Sequence, residues 1–187
     1  MNARFLSLTL SAVFLLPLAV QAQQALVPAQ SDIVFVSRQM GVPVEGKFKT
    51  FSAQVAFDPA QLASSKIAFT VDTGSADISR EANAELPKAT WFNVAAFPKA
   101  TFQSSSIKRV NANQFEVTGK LSIKGLSSDV VVPVTLTQNG TLTTATGAFP
   151  IKRLAFRIGE KEWADTSMVA DEVQVKFKMA LTGVPKL

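Results

Sequence analysis

Apolar and polar positions alternate along most of the chain after residue 30. The clearest run spans 114–124, where Phe115, Val117, Gly119, Leu121 and Ile123 alternate with Gln114, Glu116, Thr118, Lys120, Ser122 and Lys124. Period-2 alternation marks a strand with one buried and one wet face. Near the C-terminus Val173, Val175, Phe177, Met179 and Leu181 share one face, with Glu172, Gln174, Lys176 and Lys178 on the other. Val130, Val132, Val134 and Leu136 share a face in a strand over 129–137, and Pro133 opposite them predicts an edge or bulged position. The pattern predicts further strands at 32–37, 50–57, 66–72, 100–108 and 141–149.

Turn residues separate these runs: Asp58-Pro59, Thr73-Gly74, Asn111-Ala112-Asn113, Lys124-Gly125 and Asn139-Gly140. Asn139-Gly140-Thr141 also has the form of a glycosylation acceptor, but Asn-Gly between two alternating strands is the stronger hairpin signal. One short helix is predicted, capped by Ser79, running from Arg80 to Glu85 and stopped by Pro87. About eight antiparallel strands, each apolar on one face, predict an all-β domain, either a closed barrel or a two-sheet sandwich. The inward faces are almost purely apolar and mix large residues with Ala53, Ala100 and Gly119. That mixture favours an eight-stranded barrel with room inside. For any single buried Phe or Val, a place in a filled core remains the default.

The first residues do not belong to this pattern. A positive start over 1–4, an apolar stretch over 5–18 and the small-x-small site Val20-Gln21-Ala22 predict a secretory signal peptide cleaved after Ala22. The apolar stretch is shorter than the ~20 residues a bilayer needs, and no Cys follows the cleavage site to carry a lipid. The expectation is a single exported domain over 23–187, soluble in the periplasm.

Composition removes much chemistry. The 187 residues contain no Cys, His or Tyr, against 14 Phe. There is therefore no thiol nucleophile, disulfide, histidine base or zinc finger. Lys plus Arg is 19 and Asp plus Glu 14, a net charge of +5. The cations are spread over many strands of an exported chain, which argues against nucleic acid as a partner.

The order of segments resembles the YceI family. Gly41-Val42, Gly46-Lys47-Phe48 and Phe51-Ser52 precede Val55-Ala56-Phe57-Asp58-Pro59, and TWFNVAAFPKATF over 90–102 looks like the family's aromatic and Phe-Pro-x-Ala-Thr-Phe segment. Val117-Thr118-Gly119-Lys120-Leu121 before Lys124-Gly125, and Asp171-Glu172-Val173, are similar to two of its later strands. The resemblance implies a lipocalin-like antiparallel barrel in the periplasm of a Gram-negative bacterium. It also implies an elongated apolar cavity for a polyisoprenoid chain, such as a polyprenyl phosphate or a ubiquinone-like lipid. Trp163-Ala164-Asp165-Thr166 is similar to members found with a membrane cytochrome of the b561 type, which implies that partner and a quinone within reach. Where members often carry histidine, this chain has Arg38-Gln39-Met40 and Lys124, so no histidine-based metal or head-group role carries over.

Alternation and resemblance together place a ligand tail against Phe35, Phe57, Phe69, Phe102, Phe115, Val117, Leu121, Val134, Val175 and Phe177. Trp91 and Phe92, after the helix, are expected at one side of the entrance. Arg80 and Lys88 are the cations nearest that loop in sequence, hence candidates for a head-group oxygen. A catalytic reading would rest on Glu81 and Glu85, or on Asp165, Asp171 and Glu172, but no nucleophile, base and orienting group accompany them. No enzyme activity, catalytic residue or metal site is expected, and no cofactor is required beyond the bound lipid. The alternative to a lipid carrier is a filled barrel docking on the membrane cytochrome through a basic cluster of Lys152, Arg153, Arg157 and Lys161.

Overall fold

The computed structural model describes residues 23–187; the expected signal segment 1–22 lies outside the described residues. The strands are β1 (Ala25–Leu26), β2 (Asp32–Gln39), β3 (Val42–Phe48), β4 (Phe51–Ala56), β5 (Lys66–Asp72), β6 (Ala76–Asp77), β7 (Lys99–Arg109), β8 (Gln114–Ile123), β9 (Leu126–Asn139), β10 (Leu142–Lys152) and β11 (Glu172–Thr182). They form one antiparallel sheet in the order β4-β5-β7-β8-β9-β10-β11-β2-β3-β6, with β1 also paired to β11. The helix α1 (Arg80–Glu85) is the one predicted, and the Ser79 side chain accepts from the Ala82 amide at 3.2 Å.

The sheet curls strongly enough to bring its margins together. At one corner the amide of Thr50, just before β4, donates to the hydroxyl of Ser75, just before β6, at 3.0 Å. At the other end a side chain stands in for a strand: the Gln24 carboxamide donates to the Phe57 carbonyl at 2.7 Å and accepts from the Phe57 amide at 3.0 Å. This satisfies both backbone groups of a residue just beyond β4, which would otherwise lack a partner.

The all-β antiparallel class with one helix holds, but the strand count of eight does not: the described residues form eleven strands. The addition with the most consequence is β3, where Pro43, Glu45, Gly46 and Lys47 interrupt any apolar run. Backbone pairing with β2, through a two-residue turn at Met40-Gly41 with both φ angles positive, overrides that weak pattern. β1 and β6 have two residues each and are too short to show a period. Pro133 has the predicted edge character: the β9–β10 ladder ends at Val134 and Gly147, one residue before it. Asn139-Gly140 makes the predicted hairpin, although Asn139 pairs with Leu142 and only Gly140 takes a positive φ there.

Three lumen-facing glycines explain how so aromatic an interior stays open. The Phe35 ring covers Gly46, its direct partner across β2 and β3. The Phe177 ring covers Gly147, its partner across β10 and β11, and the Phe102 ring covers Gly119. A Cβ on Gly46 would lie 2.4 Å from Phe35 Cζ and 2.6 Å from Ile78 Cγ1. On Gly119 and Gly147 it would also strike backbone, at 2.5 Å from the Gln103 carbonyl and 2.4 Å from that of Pro133. The rings therefore lie against the wall over the missing side chains, as aromatic residues do when they rescue strand glycines.

Gly46→Ala is the informative change, because its clashes are with side chains alone. It is expected to cost about 1–3 kcal/mol of stability in urea unfolding, by forcing the Phe35 ring off the wall. Phe35→Leu in the same chain should recover part of that loss. Strictly additive losses in the double variant would show that ring and glycine are not coupled.

Candidate functional site

The curled sheet encloses two apolar compartments. The upper one has a volume of about 500 Å³ and the lower about 160 Å³. Ile33, Val71, Leu121, Phe149 and Val175 line both, so these five form a waist between them. A combined space of this order is typical of small-molecule sites. The interior is thus not filled by its own side chains, which takes away the basis of the filled-barrel alternative.

Polarity changes along the wall in one direction. On β2 the inward positions run Ile33, Phe35, Ser37, Gln39: the first belongs to the waist, and the last three to the upper compartment only. Below the waist the lining is apolar except for Thr143, whose hydroxyl accepts from Gln138 Nε2 at 3.0 Å. That Gln138 carboxamide also donates to the Val184 and Pro185 carbonyls and accepts from the Leu187 amide, pinning the last residues across the lower end. The edge-on pair Phe57 and Phe115, with centroids 5.3 Å apart, packs in the same region.

The ten residues expected against a ligand tail, and the two expected at the entrance, all line one compartment or the other. Phe57, Phe69, Phe102, Phe115, Val117, Val134 and Phe177 line the lower one, Leu121 and Val175 the waist, and Phe35, Trp91 and Phe92 the upper one. Alternation found the lower compartment because regular strands build it. It missed Ser37 and Gln39, although both are in phase with Ile33 and Phe35. It also missed Ile158, Trp163 and Met168, which sit on irregular chain and carry no period.

The upper wall is completed by α1 and by two loops. The Asn83 side chain fixes the entry to α1, donating to Asp77 Oδ1 at 2.7 Å and accepting from the Ile78 amide at 2.8 Å. This bond to Asn83, and a second partner in Lys49, hold the Asp77 carboxyl below the usual carboxylate range. Glu81 and Glu85 line the opening from the helix. An aromatic series then crosses the wall, Phe35 to Phe48 at 5.1 Å and Phe48 to Phe92 at 6.0 Å, while Trp91 faces Trp163 at 5.5 Å. Trp91 Nε1 is buried without a hydrogen-bond partner among the described residues.

Two buried cations hold the loops in place. Arg153 is only 2% exposed, and all five of its N–H donors are taken by carbonyls. Nε donates to Ala170, Nη1 to Ile158 and Gly159, and Nη2 to Trp163 and Val169, at 2.6 to 3.0 Å. Burial draws its pKa below the ordinary guanidinium value, with the Asp171 carboxylate opposing. Lys124, held at a positive φ in the turn between β8 and β9, donates to the Ala89 and Arg157 carbonyls and to Glu160 Oε2. A planar fork that reaches five carbonyls is a task for arginine; an ammonium has three donors.

These contacts correct the cation assignments made from sequence. Arg153 belongs to the interior and not to a basic surface cluster, and Lys152 is paired with Glu172 at 3.4 Å. Arg80 and Lys88 do not line the cavity, and Lys88 pairs with Glu85. The carboxylates considered for catalysis are mostly engaged in structure. Asp165 accepts from Ser167, which holds its carboxyl below the usual range, and Asp171 accepts from the Leu154 amide.

Comparison with known proteins settles the family. Residues 25–181 match the YceI-like domain. The chain belongs to the YceI-like family. Burkholderia cenocepacia BcnA, a solved structure, superposes with a TM-score of 0.80 at 48% identity, over 83% of this chain and 98% of that one. A polyisoprenoid binding domain from Saccharophagus degradans superposes with a TM-score of 0.70 over 86% of this chain and 98% of that one, and at 14% identity it shows the shared fold alone. Protein YceI of Salmonella arizonae is 33% identical over 96 residues, 51% of this chain and 50% of that protein. The chain spans about half the length of the curated relatives it matches.

In this YceI-like chain Arg153→Met should lower stability by more than about 3 kcal/mol, since it leaves five buried carbonyls without donors. Amide exchange over 158–170 should speed up with it. Arg153→Lys, with three donors, is expected to fall between the two. An Arg153→Met protein as stable as the parent would remove Arg153 from this role.

Proposed function

We propose that the protein binds a single long isoprenoid chain with an uncharged, quinone-type head, tail below the waist and head at the mouth. The observation that carries this is the polarity gradient together with the lack of a free cation on the wall. Among the described residues Arg153 is the only cation lining the cavity, and its donors are spent on carbonyls. The opening carries the carboxylate of Glu81, which repels a phosphate, and that of Glu85, which Lys88 partners. Ser37 and Gln39 offer neutral hydrogen-bonding groups to a carbonyl head.

Apolar burial supplies the affinity. At ~25 cal/mol per Å² of apolar surface removed from water, a long tail needs few polar contacts. Binding of this kind involves no catalytic group. The isoprenoid assignment is supported by the name of the Saccharophagus relative, a polyisoprenoid binding domain. Export by cleavage after Ala22, into a periplasm where such lipids need a carrier through water, completes the proposal.

Intrinsic fluorescence offers a direct test. The chain has two Trp and no Tyr, and both Trp91 and Trp163 line the upper compartment. Titrating delipidated protein with a long-tailed ubiquinone is expected to quench emission and to saturate at one ligand per chain. A polyprenyl phosphate of equal tail length should bind more than about tenfold more weakly, because a buried or confined charge without a partner is costly. Val117→Phe, which fills part of the lower compartment, should weaken the long-tailed quinone and spare a short-tailed one. Tighter binding of the phosphate, or no saturable quenching by either lipid, would overturn the proposal.

A further inference from the structure

The exposed apolar side chains are not scattered evenly. Among the described residues five large hydrophobics stand out into solvent, and three of them sit at one lip of the cavity: Met40 at 75% exposure, Val42 at 62% and Met168 at 47%. Met40 and Met168 also line the upper compartment, so the lip is continuous with the route any ligand takes. An isolated exposed apolar residue needs no explanation; a group of them around the mouth of a lipid-sized cavity does.

The lip is stiff. Met40 occupies a left-handed position, φ +48, in the two-residue turn between β2 and β3, which carries its side chain beyond the end of the hairpin. Its amide donates to the Met168 carbonyl at 2.9 Å, Gln39 forms a bridge with Val169, and the Ala170 amide donates to the Arg38 carbonyl at 2.9 Å. The hairpin tip and the 165–170 loop are therefore one unit. Asp165 accepts from the Ser167 amide and hydroxyl and so closes a local turn at the start of that loop.

Charge narrows the choice of occupant. Across 38–44 and 165–170 the ionisable side chains are Arg38 and Asp165, and the Asp165 carboxylate is taken up inside its own loop by the Ser167 amide and hydroxyl. Apolar tips with Arg38 beside them, on a chain that keeps a net charge of +4 once Arg4 is lost with 1–22, suit an anionic bilayer, where apolar groups enter the headgroup region and cations stay at its surface; Glu81 and Glu85 lie on α1 and not on this lip.

We propose that this lip is a membrane-docking face, on which Met40, Val42 and Met168 enter the headgroup layer of an anionic bilayer so that the cavity opens directly onto lipid. Docking there lets an isoprenoid tail pass from bilayer to cavity without crossing water. The proposal rests on the lipid-binding reading for its purpose, but the surface itself is testable without any ligand.

Vesicles of phosphatidylethanolamine and phosphatidylglycerol, free of quinone, provide the probe, and co-sedimentation of the mature protein is the readout. Val42→Glu changes an exposed residue that does not line the cavity, so the thermal unfolding midpoint should not move. Its vesicle affinity should fall by about tenfold or more, since a carboxylate is poorly tolerated in the apolar layer and is repelled by anionic lipid. Val110→Glu and Val131→Glu, at comparably exposed positions away from the mouth, should bind as the parent does. In a second arm, quinone uptake from the same vesicles, followed by tryptophan quenching, should slow in Val42→Glu, while the amount bound from detergent solution stays equal. Equal vesicle binding by parent and Val42→Glu, or equal losses in the Val110 and Val131 variants, would overturn the docking face. Vesicle binding that behaves as proposed in a protein that takes up no quinone would leave the docking face standing and remove the ligand reading.

Discussion

A protein interior normally packs to the density of an organic crystal, and this one is rich in phenylalanine yet stays open. The constraint that permits it is the contact between an aromatic ring and a glycine on the neighbouring strand, repeated at Phe35 over Gly46, Phe102 over Gly119 and Phe177 over Gly147. Each ring lies in the space a Cβ would take, so bulk goes into the wall and not into the lumen. The same contact sets the register of β3, whose sequence has little strand character of its own, because Gly46 must face Phe35. Empty apolar volume is costly: at ~24 cal/mol per Å³, the lower compartment alone would cost roughly 4 kcal/mol if unfilled. A flexible apolar chain that fills it, as the proposed function requires, relieves that cost.

Above the waist a different interaction takes over. The mouth is built from loops, and loops have no ladder to satisfy their carbonyls. Arg153 and Lys124 supply donors from inside, five from one and three from the other, and so fix 157–170 and the segment around Ala89 against the sheet. The consequence is electrostatic as well as mechanical. A guanidinium saturated by carbonyls lends the cavity no free donor, and under the proposed function Ser37, Gln39 and the helix carboxylates set what head group is accepted.

The lower compartment was legible because its residues obey the strand period: Phe115, Val117 and Leu121 on β8, or Val175 and Phe177 on β11, could be assigned to the lumen from alternation alone. The family, too, was legible from ordered short segments such as 90–102 and 117–125. The upper compartment was legible only in Phe35, Trp91 and Phe92, and for physical reasons. Arg153 in a run with Lys152 and Arg157 looks like surface charge, since nothing local announces five distant carbonyls. β3 is held by its partner's ring and by backbone pairing, not by its own composition. Gln24 closes the seam with a side chain 33 positions away from Phe57, a contact that no periodicity encodes.

Under the proposed function the hollow is occupied by one neutral isoprenoid chain. Native mass spectrometry of protein purified from the exported fraction of its own cells, with no lipid added, tests this most directly. The predicted result is one adduct per chain that organic extraction identifies as a long-tailed isoprenoid quinone, or another isoprenoid without phosphate. A protein that arrives empty, or that carries a polyprenyl phosphate or a straight-chain fatty acid, would contradict it.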